Sequence, residues 1–99
     1  MGIVVERTRE FARWLKALRD TRAKARIAAR IARLADGNPG RHRVLTDGVC
    51  ELKIDVGPGY RLYYVRTGKL AVLLLAGGDK STQDRDIFRA VSMARELKG

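Results

Sequence analysis

The residues from Val49 to Lys80 constrain this chain most. Three runs, Val49 to Val56, Tyr60 to Arg66 and Leu70 to Ala76, are separated by Gly57-Pro58-Gly59 and by Thr67-Gly68. The third run closes on Gly77-Gly78-Asp79-Lys80. The first two runs are rich in β-branched and aromatic residues, the third is apolar, and glycine turns join them. That pattern predicts a three-strand antiparallel meander. Side chains alternate between faces along a strand. Pairing Val56 with Tyr60 across the first turn sets Asp55 opposite Arg61 and Lys53 opposite Tyr63. Leu52, Ile54, Val56, Tyr60, Leu62 and Tyr64 then share one face, and Lys53, Asp55, Arg61 and Tyr63 the other. Pairing Arg66 with Lys69 across the second turn brings the even positions of the third run to the Arg61 face, with Lys80 just past its end. Lys53, Arg61, Tyr63 and Lys80 are thus predicted to converge on one side of the sheet. A slip of one residue in either turn would disperse them.

The flanking segments supply the layers. Ile3 to Glu6 is short and β-branched and reads as a strand added to a sheet edge. Thr8 can cap a helix whose apolar stripe is Phe11, Trp14, Leu15 and Leu18. Asp20 or Thr21 can cap a second helix running to about Ala35, with Ile27, Ile31 and Leu34 on its buried side. The tight junction predicts an antiparallel helical hairpin on one sheet face. Asp36-Gly37-Asn38-Pro39-Gly40 stops that helix. Arg41 to Thr46 reads as a strand, turned by Asp47-Gly48 into Val49. Ser81 or Thr82 can cap a last helix, with Asp84 and Asp86 near its N-terminus and Ile87, Ala90, Val91, Ala94 and Leu97 as its stripe. The order is β-α-α-β-β-β-β-α. Residues 1–99 are read as one α+β domain on an antiparallel sheet, with an N-terminal strand and helical hairpin, a β-meander and a C-terminal helix.

Charge narrows the partner. There are 21 Lys and Arg against 11 Asp and Glu, a net charge of +10. A polyanion is the matching class of partner, with nucleic acid ahead of an acidic protein. Arg22, Arg26, Arg30 and Arg33 share a narrow arc of the second helix, which is either an RNA-phosphate track or a solvated face. A domain of this size holds one core and no deep enclosed cleft, so a surface groove is the expected kind of site. Cys50, the only cysteine, excludes an internal disulfide and falls in the core-facing phase. His42 is the only histidine. It has no metal-ligand neighbours in sequence and stands as a reserve acid–base candidate beside the reactive face. No apolar run reaches the length of a membrane span and no signal-peptide pattern opens the chain, so a cytoplasmic protein without a membrane partner is expected.

No Walker loop, Ser/His/Asp set or paired carboxylates stand on the predicted face, so metal-assisted phosphoryl transfer is not expected. A cluster of cations and phenols suits attack of an RNA 2′-hydroxyl on its own 3′-phosphate. Arg61 and Lys80 can hold the phosphate, and Lys53 or Tyr63 can move a proton. The alternative is a cross-strand charge ladder of Lys53, Asp55 and Arg61 with no chemistry.

The run Glu51-Leu-Lys-Ile-Asp-Val-Gly-Pro-Gly-Tyr-Arg-Leu-Tyr-Tyr64, with Leu73-Leu-Leu-Ala-Gly-Gly-Asp-Lys-Ser-Thr-Gln83, Asp86-Ile87 and Phe11-x-x-Trp14-Leu15, resembles the RelE/ParE toxin superfamily. More closely it resembles the HigB-type addiction module killer branch of type II toxin–antitoxin systems. The resemblance implies an antiparallel sheet with a helical pair, cofactor-free and metal-independent cleavage of mRNA on the ribosome, inhibition of translation, and a cognate antitoxin that often carries a helix-turn-helix. Carried over by position, Arg61 matches the arginine of the Gly-Tyr-Arg motif, Lys53 lies on the strand that supplies catalytic lysines, and Lys80 stands where a late basic residue is expected. Two positions depart from the pattern: Asp55 replaces a second cation, and Phe88 stands where some members carry a tyrosine. ParE-type relatives inhibit DNA gyrase instead, and a basic nucleic-acid-binding module without catalysis is the third reading.

Overall fold

The computed structural model describes residues 2–99. In chain order the elements are β1 (Val4–Arg7), α1 (Arg9–Ala17), α2 (Thr21–Ala35), β2 (His42–Val44), β3 (Cys50–Ile54), β4 (Tyr60–Gly68), β5 (Ala71–Asp79) and α3 (Gln83–Lys98). A 3₁₀ turn, Lys80–Thr82, joins β5 to α3. The five strands form one sheet in the order β1-β5-β4-β3-β2. The meander is antiparallel as predicted, and β1 adds to an edge, but it runs parallel to β5, so the sheet is mixed. The two helices carry the chain across one face from the β1 edge to the β2 edge. The meander then folds back strand by strand until β5 meets β1 running the same way.

Local chemistry sets the element ends. The Thr8 hydroxyl accepts from Phe11 N and donates to Leu75 O, capping α1 while tying it to β5. Asp20 caps α2 through the amides of Arg22 and Ala23. Asp79 caps the 3₁₀ turn, so the carboxylate ahead of Ser81 and Thr82 turns the chain into α3. Asp47 adopts a positive φ of 56° beside Gly48 at 77°, and Asp47 Oδ2 accepts from Arg95 Nε at 2.8 Å, pinning this turn to the end of α3.

The sheet divides two cores in place of the single one expected, because helices pack on both of its faces. On one face Leu52, Ile54, Tyr60, Leu62, Tyr64, Val72 and Leu74 pack with Phe11 of α1 and Ala23, Ile27 and Leu34 of α2. On the other Val49, Tyr63, Val65, Leu75 and Ala76 pack with Ala90, Val91 and Ala94 of α3. Each fully buried Leu or Ile contributes about 1.5–3 kcal/mol by leaving water. α1 packs on β5, and α2 on β1 and β3, so the helical pair is held chiefly by the sheet rather than by each other.

The pairing differs from the predicted one in three ways, the first at the second turn: β4 runs through Thr67-Gly68, Gly68 pairs with Ala71 and Arg66 with Val72 rather than Lys69, so the chain turns at Lys69-Leu70. Ile54, not Val56, pairs with Tyr60, which makes Asp55 to Gly59 a five-residue connection. A shift of two residues preserves every face but changes the partners: Lys53 lies opposite Arg61, and Glu51 opposite Tyr63. Between β4 and β5, Tyr64 pairs with Leu74 but Tyr63 with Ala76, leaving Leu75 as a bulge. A bulge inverts the alternation on one side of it. Ala76 and Gly78 therefore share the Arg61 face as expected, whereas Val72 and Leu74 turn to the opposite core.

Candidate functional site

Gly77 and Gly78 bring both layers close to the end of β5. A Cβ on Gly77 would enter the Trp14 ring on one face, and a Cβ on Gly78 would enter the Asp86 carboxylate on the other. Trp14 is thereby a packed residue, set edge-on to Tyr60 with ring centres 6.2 Å apart. Close approach at Gly78 lets the start of α3 lie against β4 and delivers Gln83 to the sheet face that carries Arg61.

There a groove of about 400 Å³ opens, lined by Arg41, His42, Arg43, Glu51, Lys53, Arg61 and Gln83. Its centre is Glu51, which is buried. Glu51 Oε1 accepts from Arg43 Nε at 2.7 Å, and Oε2 accepts from the Tyr63 hydroxyl and from Gln83 Nε2, each at 3.0 Å. Arg61 Nε stands 4.0 Å from the same oxygen. Burial alone would raise the Glu51 pKa. The hydrogen bonds from Arg43, Gln83 and Tyr63 outweigh burial and hold it below the ordinary glutamate range, so it is an anion at neutral pH. A carboxylate stabilised in that state is a poor proton acceptor. Its work is to orient Arg43 and Arg61.

Arg61 is itself buried, and its Nη1 donates to Gly59 O at 2.8 Å. Its Nε has no hydrogen-bond partner. The guanidinium is thus fixed at the start of β4 with its Nε shut in beside Glu51, which leaves its terminal nitrogens to meet an anion in the groove.

The predicted site residues separate into three groups. Arg61 and Lys53 are brought together in the groove. Tyr63 is on the same face, but its ring is fully buried in the α3-side core, and burial followed by the Glu51 charge pushes its phenol far above the ordinary tyrosine range. It remains protonated and supports Glu51. Lys80 is exposed in the 3₁₀ turn near Gly59 and is not among the groove-lining residues. The charge ladder forms in altered shape: Asp55 pairs with Arg41 at 3.0 Å and lies 3.8 Å from Lys53, rather than meeting Arg61. Phe88 is exposed on α3.

The arginines of α2 also divide. Arg30 bonds the carbonyls of Lys53, Pro39 and Arg41, stapling the loop before β2 to β3. Arg26 and Arg33 line a second groove beside it, with Arg30, Arg41, Lys53 and Asp55, while Arg22 lies outside. Cys50 is partly buried against the helical-pair core, and no metal-binding cluster of His, Cys, Asp and Glu occurs among the described residues.

Glu51, Arg43 and Gln83 were missing from the sequence-based site. Glu51 was legible, because it shares the phase of Lys53 on one strand. Arg43 was obscured by the turn: a two-residue Asp47-Gly48 connection would set it opposite Leu52, whereas the three-residue connection Thr46 to Gly48 sets it opposite Glu51. Gln83 comes from α3, and strand alternation carries no signal for it.

No model of a known protein family matches the chain. It is 50% identical over 97 residues, 98% of each chain, to an uncharacterized protein of Haemophilus influenzae. With half of their residues shared over nearly their whole lengths, the chain belongs to the same family as that Haemophilus influenzae protein.

Proposed function

We propose that this protein is the toxin of a type II toxin–antitoxin system, of the RelE-like and HigB-type kind, and that it inhibits translation by cleaving mRNA on the ribosome without a metal. The observation that carries this reading is the groove itself. Arg61, Arg41, Arg43, Lys53 and His42 surround a space whose buried carboxylate, Glu51, is already engaged by protein donors. Such a space attracts a phosphodiester, and the forked donors of its guanidinium groups can align one.

The chemistry follows from that placement. A 2′-oxygen attacks the adjacent phosphorus, the bond to the 5′-oxygen breaks, and a 2′,3′-cyclic phosphate and a 5′-hydroxyl result. Arg61, held by Gly59 O and Glu51, and Lys53 neutralise charge on the non-bridging oxygens. The 2′-hydroxyl must lose a proton and the leaving oxygen must gain one. His42 lines the groove, and its imidazole is the group placed there to pass these protons. Tyr63 and Gln83 act through Glu51. A cognate antitoxin, with a helix-turn-helix for its operator, is the partner this reading requires.

The test is controlled expression in a bacterium, with transcript 5′ ends mapped within minutes. New ends inside translated frames, in phase with the codons, are expected. Arg61→Ala and Lys53→Ala should each lower cleavage by about 10²–10³-fold, the scale of losing one charge-stabilising donor, with circular dichroism unchanged. Growth arrest with intact transcripts would replace this reading with inhibition of a DNA topoisomerase. No arrest would remove the toxin assignment.

A further inference from the structure

The second groove lies between α2 and β3 and encloses about 330 Å³. Arg26, Arg30, Arg33, Arg41 and Lys53 line it against one carboxylate, Asp55. Asp55 is already shared by Arg41 and Lys53. Arg26 and Arg33 have no carboxylate within ion-pair distance among the described residues. The fold also presses like charges together here. The Arg33 guanidinium approaches Gly40, as does that of Arg30, which is committed to three carbonyls and retains a buried Nε without a partner. A net surplus of four cations, only Arg30 among them held by backbone carbonyls, is the electrostatic form of an anion site.

Arg41 and Lys53 line both grooves. The two spaces therefore adjoin at Arg41 and Lys53, one on each side of the end of β3, as consecutive stretches of one track from Arg61 to α2. We propose that the α2–β3 groove seats backbone phosphates of a single RNA strand beyond the reacting nucleotide, with Arg26 and Arg33 as the binding residues and Arg30 as the staple that shapes the groove. This proposal rests on the nuclease reading for the identity of the strand. RNA is favoured over an acidic protein because the lining is guanidinium-rich and contiguous with the reaction groove, while the exposed large apolar residues that would anchor a protein partner, such as Val44, Leu70 and Phe88, are absent from it.

The test uses the full chain and 2′-O-methyl RNA, which lacks the attacking hydroxyl and so reports binding without cleavage. Fluorescence anisotropy is measured over a salt series for a dinucleotide and a decanucleotide, with the wild type and with the double variant Arg26→Gln/Arg33→Gln. Both side chains are exposed, so the fold is retained. The slope of log affinity against log salt should fall by about 1.4 for the decanucleotide, about 0.7 for each phosphate of a single strand that is no longer neutralised. Dinucleotide binding should not change. An unchanged slope for the decanucleotide overturns the proposal, as does an equal loss of affinity for both lengths. Equal binding of polyglutamate, abolished in the same variant, would assign the groove to an acidic protein and overturn it too. If transcripts stay intact in cells while the slope still falls, the nuclease reading fails and the phosphate track stands.

Discussion

On the face of the sheet covered by α1 and α2, Leu52, Leu62 and Leu74 pack against Phe11 and Ile27 with no water-exposed surface. On the opposite face, α3 covers Tyr63, Leu75 and Ala76, but toward β2 the sheet is open and carries Glu51, Lys53 and Arg61. The same strands supply both sides, so the difference is one of cover. Two helices close the middle of one face and leave apolar packing there, with charge admitted only at the α2–β3 edge. One helix closes part of the other, and its uncovered remainder can hold charges because a groove lets water and ligands reach them. A buried carboxylate is tolerable there only because three donors meet it.

The faces should therefore respond differently to substitution. Leu52→Ala, in the closed core, is expected to cost about 2–5 kcal/mol through lost burial and the cavity left behind. Urea denaturation measures it, and a loss near that of an exposed leucine would show that this face is not closed. Glu51→Gln keeps the volume but strips the charge that Arg43 and Arg61 face. It should cost about 1–3 kcal/mol, the scale of a charged hydrogen bond broken in a buried setting.

That second loss should depend on pH. Glu51 is held below its unfolded value by Arg43, Gln83 and Tyr63, against the pull of burial. Its contribution is full above the unfolded glutamate pKa, near about 4.3, and fades as pH falls through the lower folded value. Acid titration of stability should be shallower in Glu51→Gln than in the wild type below about pH 4. Parallel curves would show that the carboxylate is not stabilised as an anion. The smallest effect is expected where the layers are joined at the surface. Arg89 of α3 pairs with Glu10 of α1 at 3.0 Å. A double-mutant cycle on this exposed pair should give no more than about 1 kcal/mol, and less at high salt. A larger coupling would mean that the two helical layers support each other directly, and not only through the sheet.

Much of the fold was legible because its signals are local. Thr8 and Asp20 cap the helices that follow them, the Gly-Pro-Gly and Asp-Gly turns mark the hairpins, and the period-two pattern of Leu52 to Tyr64 separates the faces. The candidate site was half legible by the same rule. Lys53 and Arg61 meet because a two-residue shift in register leaves alternation intact.

The sequence by itself determined which residues of β3 and β4 share a face, where helices begin, and that the chain is strongly basic. These depend on backbone geometry and on charge, which short segments carry without reference to the rest of the chain. Only the tertiary structure decided the direction of β1, the bulge at Leu75 and the arrival of Gln83 beside Glu51. It also decided that Tyr63 is enclosed and that Arg30 is a staple while Arg26 and Arg33 face the second groove. Each of these turns on where a distant element packs, and at the Gly77-Gly78 step that packing is fixed by a Trp14 ring and an Asp86 carboxylate pressed against bare backbone from opposite sides.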